Sequence, residues 1–292
     1  MRKRISSIII ALVIVIGLSL LLYPTVSDFL RGLAYRRAIS AYAAGVEQLD
    51  DESYEELLEA ARAYNERLAQ RLAKDGGLMV DLTEEQKPEY YSLLKTGTSD
   101  VMAYVTVPKV NIALPIYHGV SDAVLQSGVG HLEGSSLPVG GPSTHSVLSA
   151  HTGLPSAKLF TSIDRLEEGD TFSVQVLRDT LTYQVDQILV VLPNETDALR
   201  IEPEADYCTL LTCTPYGINT HRLLVRGHRI PTPPVEEEER PSVIAGLGLD
   251  LGDIGVYVLA GALGLLIVMV LVVVILIKRQ QMWKRAKRLK RK

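Results

Sequence analysis

Thr209-Leu-Leu-Thr-Cys213-Thr-Pro-Tyr-Gly-Ile-Asn-Thr-His-Arg222 is the stretch on which the reading of this chain turns. An apolar run ends on a cysteine, Pro215, Gly217 and Asn219 mark a turn, and an arginine follows nine residues after the cysteine. Two strands joined by that turn would set a thiol beside a cation. Such a pair can act as a nucleophile with an anion stabiliser. A proton acceptor is still needed, and His151 in Leu148-Ser-Ala-His-Thr-Gly153 is the leading candidate.

Working outward, short strands are expected over residues 102–107, 112–117, 145–150, 172–177, 181–192, 207–213 and 222–229. A loop rich in glycine, serine and proline fills 119–143. About seven short strands with turn signals between them, and no long helix among them, predict a sandwich or closed barrel. N-terminal to these, Val46, Leu49, Leu57, Leu58, Ala61, Leu68 and Leu72 recur at helical spacing and predict a helical hairpin packed on the barrel or bridging it to a membrane. Asp75-Gly-Gly77 stops that pattern, and residues 75–99 read as irregular.

Residues 5–23 and 254–277 are apolar enough to cross a bilayer as helices. The first is also compatible with a cleaved leader, but it is long for one and no small-x-small cleavage site follows, which favours a retained anchor. Arg2, Lys3 and Arg4 precede the first span, and the nine basic residues of the tail 278–292 follow the second with no acid among them. Basic flanks face the cytoplasm, so both termini are expected inside and 24–253 outside. Setting the 12 terminal basic residues aside leaves 18 basic against 34 acidic, about −16, a balance unsuited to a nucleic-acid partner. The basic tail is read as a topology determinant. The expected order is a cytoplasmic stub (1–4), a span (5–23), a helical region (24–74), the irregular segment (75–99), the barrel (100–231), an acidic proline-rich linker (232–253), a second span (254–277) and the basic tail (278–292).

Cys208 and Cys213 share one strand at an odd separation, so they face opposite sides and do not pair. A thiolate is favoured by nearby positive charge, which His151 and Arg222 would both supply. A Cys–His pair supports acyl transfer: sulfur attacks a carbonyl and the imidazole returns a proton to the leaving amine. A guanidinium, with backbone N–H groups near Cys213, would hold the oxyanion.

The chain resembles the sortases, specifically the class C, pilus-assembling sortases of Gram-positive bacteria. The resemblance is carried by Thr209–Gly227 and by Ser149-Ala-His-Thr-Gly153. Gly130-His-Leu-Glu-Gly-Ser-Ser-Leu-Pro138 and Pro108-Lys-Val-Asn-Ile-Ala-Leu-Pro-Ile-Tyr-His-Gly119 add to it. It implies an eight-stranded β-barrel in a mainly β chain, with N-terminal helices and flanking transmembrane helices, at a bacterial plasma membrane. It implies a cysteine transpeptidase with Cys213 as nucleophile, His151 as catalytic histidine and Arg222 as catalytic arginine, and with no metal or organic cofactor. Cys213 would cleave a Leu-Pro-x-Thr-Gly-like sorting signal as a thioester, resolved by an amine, commonly a lysine of another pilin. The partners implied are surface proteins with C-terminal sorting signals, an amine acceptor (a pilin lysine or a cell-wall peptide) and the lipid bilayer. Three rivals remain: attachment to cell-wall peptide, a sortase-fold hydrolase, and an inactive assembly scaffold.

Thr212, Thr214, His131 and Asn219 are candidate substrate-binding or supporting residues. His118 and His145 are expected to be structural, His221 faces away from Arg222, His228 lies beyond the site, Arg226 is the alternative cation and Cys208 a core residue. Class C sortases often carry a lid with an Asp-Pro-aromatic motif. No Asp-Pro occurs here, and Asp81-Leu82 stands in the corresponding region.

Overall fold

The computed structural model describes residues 2–233, apart from 80 and 98, together with residue 279. Residues 31–234 form one compact unit; residues 1–30 and 235–292 are assigned to a second.

The first unit is a closed barrel in the order β1-β2-β3-β4-β7-β8-β6-β5. Its strands are β1 (Val101–Val107), β2 (Ile112–His118), β3 (Val129–His131), β4 (Thr144–Ser149), β5 (Thr171–Val176), β6 (Asp179–Val191), β7 (Asp206–Thr214) and β8 (His221–Ile230). Closure removes the unpaired edges an open sheet would expose. Two neighbours run parallel, β2 with β3 and β4 with β7, and the rest antiparallel. Alternation drives this: along β1 every second residue from Val101 to Val107 is buried in one core with Val174, Leu210 and Val225. Gly227 of β8 lies where a Cβ would come within 2.8 Å of the Phe172 ring and 2.9 Å of Tyr183, so the stacked pair of aromatics leaves room for no larger residue.

Seven strands match the expected runs within a residue or a few. The eighth, β3, lies inside the stretch expected as loop. It is three residues long, too short to alternate legibly, and the same stretch also holds the short helix α4 (Asp122–Ser127).

The helical hairpin is present as α1 (Arg2–Glu47) and α2 (Asp51–Leu72). Asp50 caps α2 by accepting the Ser53 N–H at 2.8 Å. Leu58, Ala61, Asn65, Leu68 and Leu72 make the buried stripe of α2, each leucine worth roughly 1.5–3 kcal/mol of burial. Two polar side chains fix the hairpin to the barrel unit. Tyr42 donates to the Met102 carbonyl at 3.0 Å and accepts the Leu177 N–H at 2.6 Å. Asn65 donates to the Leu137 carbonyl at 3.0 Å and accepts the Leu137 N–H at 2.7 Å.

Residues 75–99 are less irregular than expected, because α3 (Lys87–Ser92) forms inside them. Pro88 sits in its first turn, where a missing N–H leaves nothing unmade, so the proline that argued against helix starts one. Leu82 is buried in the main core and does not line the cleft that holds Cys213. That corrects the expectation that it would plug a site.

The first expected span runs within α1, and most side chains of 5–15 are outside the described residues, as is all of 254–277. Among the described residues no helix is long and apolar enough to cross a membrane.

Candidate active site

The site is assembled at one end of three neighbouring strands, β4, β7 and β8. The antiparallel pairing of β7 with β8 sets Cys213 directly across from Arg222. The parallel pairing of β4 with β7 ends at Ser149 opposite Leu211; Ala150 still bonds to the Leu211 carbonyl, and His151 follows just past the end of β4. Cys213, Arg222 and His151 all line the same cleft of about 430 Å³.

Each is held from its own backbone. Ala150, just before His151, gives its N–H to the Leu211 carbonyl at 3.1 Å. Its carbonyl receives the Thr212 hydroxyl at 2.7 Å. The His151 carbonyl then accepts the Phe160 N–H at 3.2 Å, which turns the chain out of the strand. On the other side, the Arg222 guanidinium donates to the carbonyls of His221 at 3.1 Å and Asn219 at 3.4 Å. Asn219 has φ +61°, a left-handed conformation that asparagine tolerates, and its carbonyl is thereby turned back onto the arginine. Tyr216 lies over Gly153, whose φ of +73° and open face suit glycine: an added Cβ would sit 3.2 Å from the ring.

The walls are apolar on one side, from Val191 and Leu192 of the β6 end together with Leu199, Leu211 and Leu224. Met79, Asp81, Glu133 and Glu195 complete the rim. The arrangement offers a thiol, an imidazole and a fixed guanidinium facing a slot with one apolar wall. The wall from 191–199 was not identified from the sequence as part of a site; the only signal there was an apolar strand running into Pro193.

The other candidates fall out differently. Thr212 reaches the cleft and supports Ala150, whereas Thr214 pairs with His221 beyond it. Asn219 acts on Arg222 through its carbonyl. His131 is fully enclosed: Nε2 donates to the Ser136 carbonyl at 2.8 Å and Nδ1 accepts from Tyr90 Oη at 2.9 Å, so it is a support for α3 and lines no part of the cleft. His118 is buried against Tyr90, and His145 bridges the Arg200 carbonyl and Thr209 at 2.8 and 2.7 Å. Burial pushes the pKa of all three of these histidines down to about 4. Arg226 is spoken for by Asp186, with two bonds at 3.1 Å, and stacks 4.1 Å over the Tyr207 ring. Cys208 is fully buried, which drives its thiol pKa well up, while Cys213 is half-buried; neither forms a disulfide. Asp81 lines the cleft rim as an exposed side chain. Among the described residues no group of three or more His, Cys, Asp or Glu is placed to hold a metal.

Residues 105–230 match the model of the sortase domain. Among solved structures, sortase C1 from Streptococcus agalactiae is 48% identical, with a TM-score of 0.63 over 67% of this chain and 99% of that one. Sortase C from Streptococcus pneumoniae, whose structure is described as bearing on pilin substrate specificity, is 43% identical, with a TM-score of 0.60 over 67% of this chain and 97% of that one. Sortase D of Bacillus subtilis (strain 168) is 27% identical over 139 residues, which span 47% of this chain and 67% of that protein. A thiol, an imidazole and a guanidinium lining one cleft of an eight-stranded barrel, matched along nearly the whole of a solved class C structure, identify the chain as a member of the sortase family of cysteine transpeptidases, on its class C branch.

Proposed function

We propose that this sortase joins pilin subunits, with Cys213, His151 and Arg222 performing the chemistry. The carrying observation is the shared cleft: Cys213 stands opposite Arg222 across β7 and β8, and His151, just past the end of β4, lines the same cleft. Cys213 Sγ attacks the threonine carbonyl of a Leu-Pro-x-Thr-Gly-like signal, and Arg222 holds the oxygen that gains charge. The threonine–glycine C–N bond breaks as His151 gives a proton to the leaving amine. A lysine amine then attacks the thioester, the amide forms and the thiolate leaves. The apolar wall of Val191, Leu199 and Leu224 fits the Leu-Pro part of the signal. A pilin lysine as acceptor is supported by the pilin substrate described for the Streptococcus pneumoniae relative.

Incubating the protein with a sorting peptide and a lysine-bearing pilin fragment, then weighing the products, tests this. The amide-linked product is expected. Release of the free acid alone would favour a hydrolase, and transfer only to a cell-wall peptide amine would favour wall attachment.

We further propose that residues 5–23 and 254–277 anchor the protein with both termini cytoplasmic. The support is the uncharged sequence, the basic flanks, and the exposed Val13, Ile16, Leu20 and Leu21 along α1. Alkaline extraction of membranes should leave the protein in the pellet. The segment around Asp81 is proposed as a lid over the site. Met79 and Asp81 stand at the cleft rim, while Leu82, buried in the core, and the Gly77–Ile201 backbone bond at 2.9 Å hold the segment down.

A further inference from the structure

The carbonyl of Ala150 has the wrong partner for a regular sheet. Peptide groups along β7 face β4 and β8 in turn. Leu211 faces β4, since its carbonyl accepts the Ala150 N–H, so Thr212 faces β8 and Cys213 faces β4 again. A continued parallel ladder would give the Ala150 carbonyl to the N–H of Cys213. Instead that carbonyl is occupied by the Thr212 hydroxyl at 2.7 Å, and the Cys213 N–H makes no bond to it. Thr212 is 3% exposed, so its hydroxyl is not serving solvent. Beyond this point β4 ends, and His151 is drawn off by its bond to Phe160. The Cys213 amide therefore looks into the gap where β4 leaves β7, beside its own sulfur.

We propose that Thr212 is a positioning residue: by taking the Ala150 carbonyl, its hydroxyl frees the backbone N–H of Cys213 to act with Arg222 as an oxyanion donor. The parity that turns this N–H toward β4 also makes Cys213 and Arg222 a non-hydrogen-bonded antiparallel pair. That is the kind with the closer Cα spacing, about 4.5 Å. One donor then comes from the nucleophile's own peptide and the other from across the sheet. As Sγ bonds to the threonine carbonyl carbon, the displaced electron pair settles on the oxygen between these two donors. This rests on the transpeptidase reading above and assigns the source of its second oxyanion donor.

The test compares two reactions of the full-length protein in detergent. Acylation by a sorting-signal peptide passes through an oxyanion; alkylation of Cys213 by iodoacetamide does not. Without the Thr212 hydroxyl, the Cys213 N–H should close onto the Ala150 carbonyl. Thr212→Val is therefore expected to lower the acylation kcat about 100-fold, the scale of losing one oxyanion donor, with KM within about twofold. Alkylation of the same variant should stay within about twofold of wild type, because the thiol and its neighbours are in place. Thr212→Ser, which keeps the hydroxyl, should recover most of the acylation rate. A Thr212→Val enzyme acylating within about threefold of wild type would overturn the proposal. So would alkylation that falls in step with acylation, which would mark a general collapse of the site. Wild-type protein that alkylates but never forms an acyl-enzyme would overturn the transpeptidase reading, and this proposal with it.

Discussion

Two regions of this molecule hold histidines among polar neighbours, and they behave oppositely. Under α3, His131 and His118 are sealed against Tyr90, whose hydroxyl also accepts the Gly119 N–H at 3.0 Å. Both ring nitrogens of His131 are taken. At the end of β4, β7 and β8, His151 lines an open cleft with Cys213 and Arg222. The first region pairs the polar groups of His131 and Tyr90, leaves His118 Nε2 buried without a partner, and joins α3 to β2 and β3. The second leaves its polar groups facing an open cleft. Residue type is the same in both; access and prior hydrogen bonding separate structure from chemistry.

The comparison breaks most sharply at the nucleophile. Cys213→Ala should abolish peptide cleavage and transfer, while Cys208→Ala, in the sealed core, should leave both in place. Cleavage surviving in Cys213→Ala, read by mass spectrometry, would remove the open region from the chemistry. Next, Arg222→Lys should lower kcat about 100-fold, because an ammonium lacks the planar fork held by the Asn219 and His221 carbonyls. Near wild-type turnover would take the arginine out of its role.

The sealed region should respond to acid. His118, His131 and His145 have folded pKa values of about 4, against 6.5 for an open histidine. Each is held neutral by burial, so between those values the unfolded chain binds the proton and the folded one does not. Stability from these groups is complete above about pH 6.5 and falls as pH drops toward 4, by up to about 1.4 kcal/mol per pH unit for each histidine. Urea unfolding at pH 7 and pH 5 measures this; equal stabilities would refute it. Tyr90→Phe strips the hydroxyl from His131 and Gly119 and should cost about 1–3 kcal/mol, with the acylation kcat of the folded enzyme unchanged. A drop in kcat at full folding would mean the two regions are coupled.

The smallest effect is expected at the rim. Met79→Ala combined with Asp81→Ala, leaving the buried Leu82 in place, should speed reaction of Cys213 with a thiol reagent by a few-fold, on the order of 1 kcal/mol. An unchanged rate would argue against a lid.

The barrel strands were legible in the sequence because alternation repeats over six or more residues, as in Val101–Val107. The strand β3 was not, since three residues carry no period. α3 was hidden by Pro88, which reads as a breaker unless its place in the first turn is known. The sealing of Arg226 by Asp186 was also out of reach, because 40 residues separate the partners along the chain. Asp81-Leu82 was read as one unit, yet Asp81 reaches the cleft rim and Leu82 turns into the core.

By itself the sequence determined that Cys213 and Arg222 face each other, because a hairpin turn fixes who faces whom on two adjacent strands. Strand parity, also local, separated Cys213 from Cys208. The sequence also put His151 forward as their histidine, and only the tertiary structure showed why His131 does not compete. His131 and His151 are both near β4 in sequence, and their roles differ through what closes over each. It also decided the place of the Thr212 hydroxyl, since the Ala150 carbonyl it takes comes from a parallel strand 62 residues away. Such a pairing leaves no periodic trace in the chain, and the fold alone brings its two ends together.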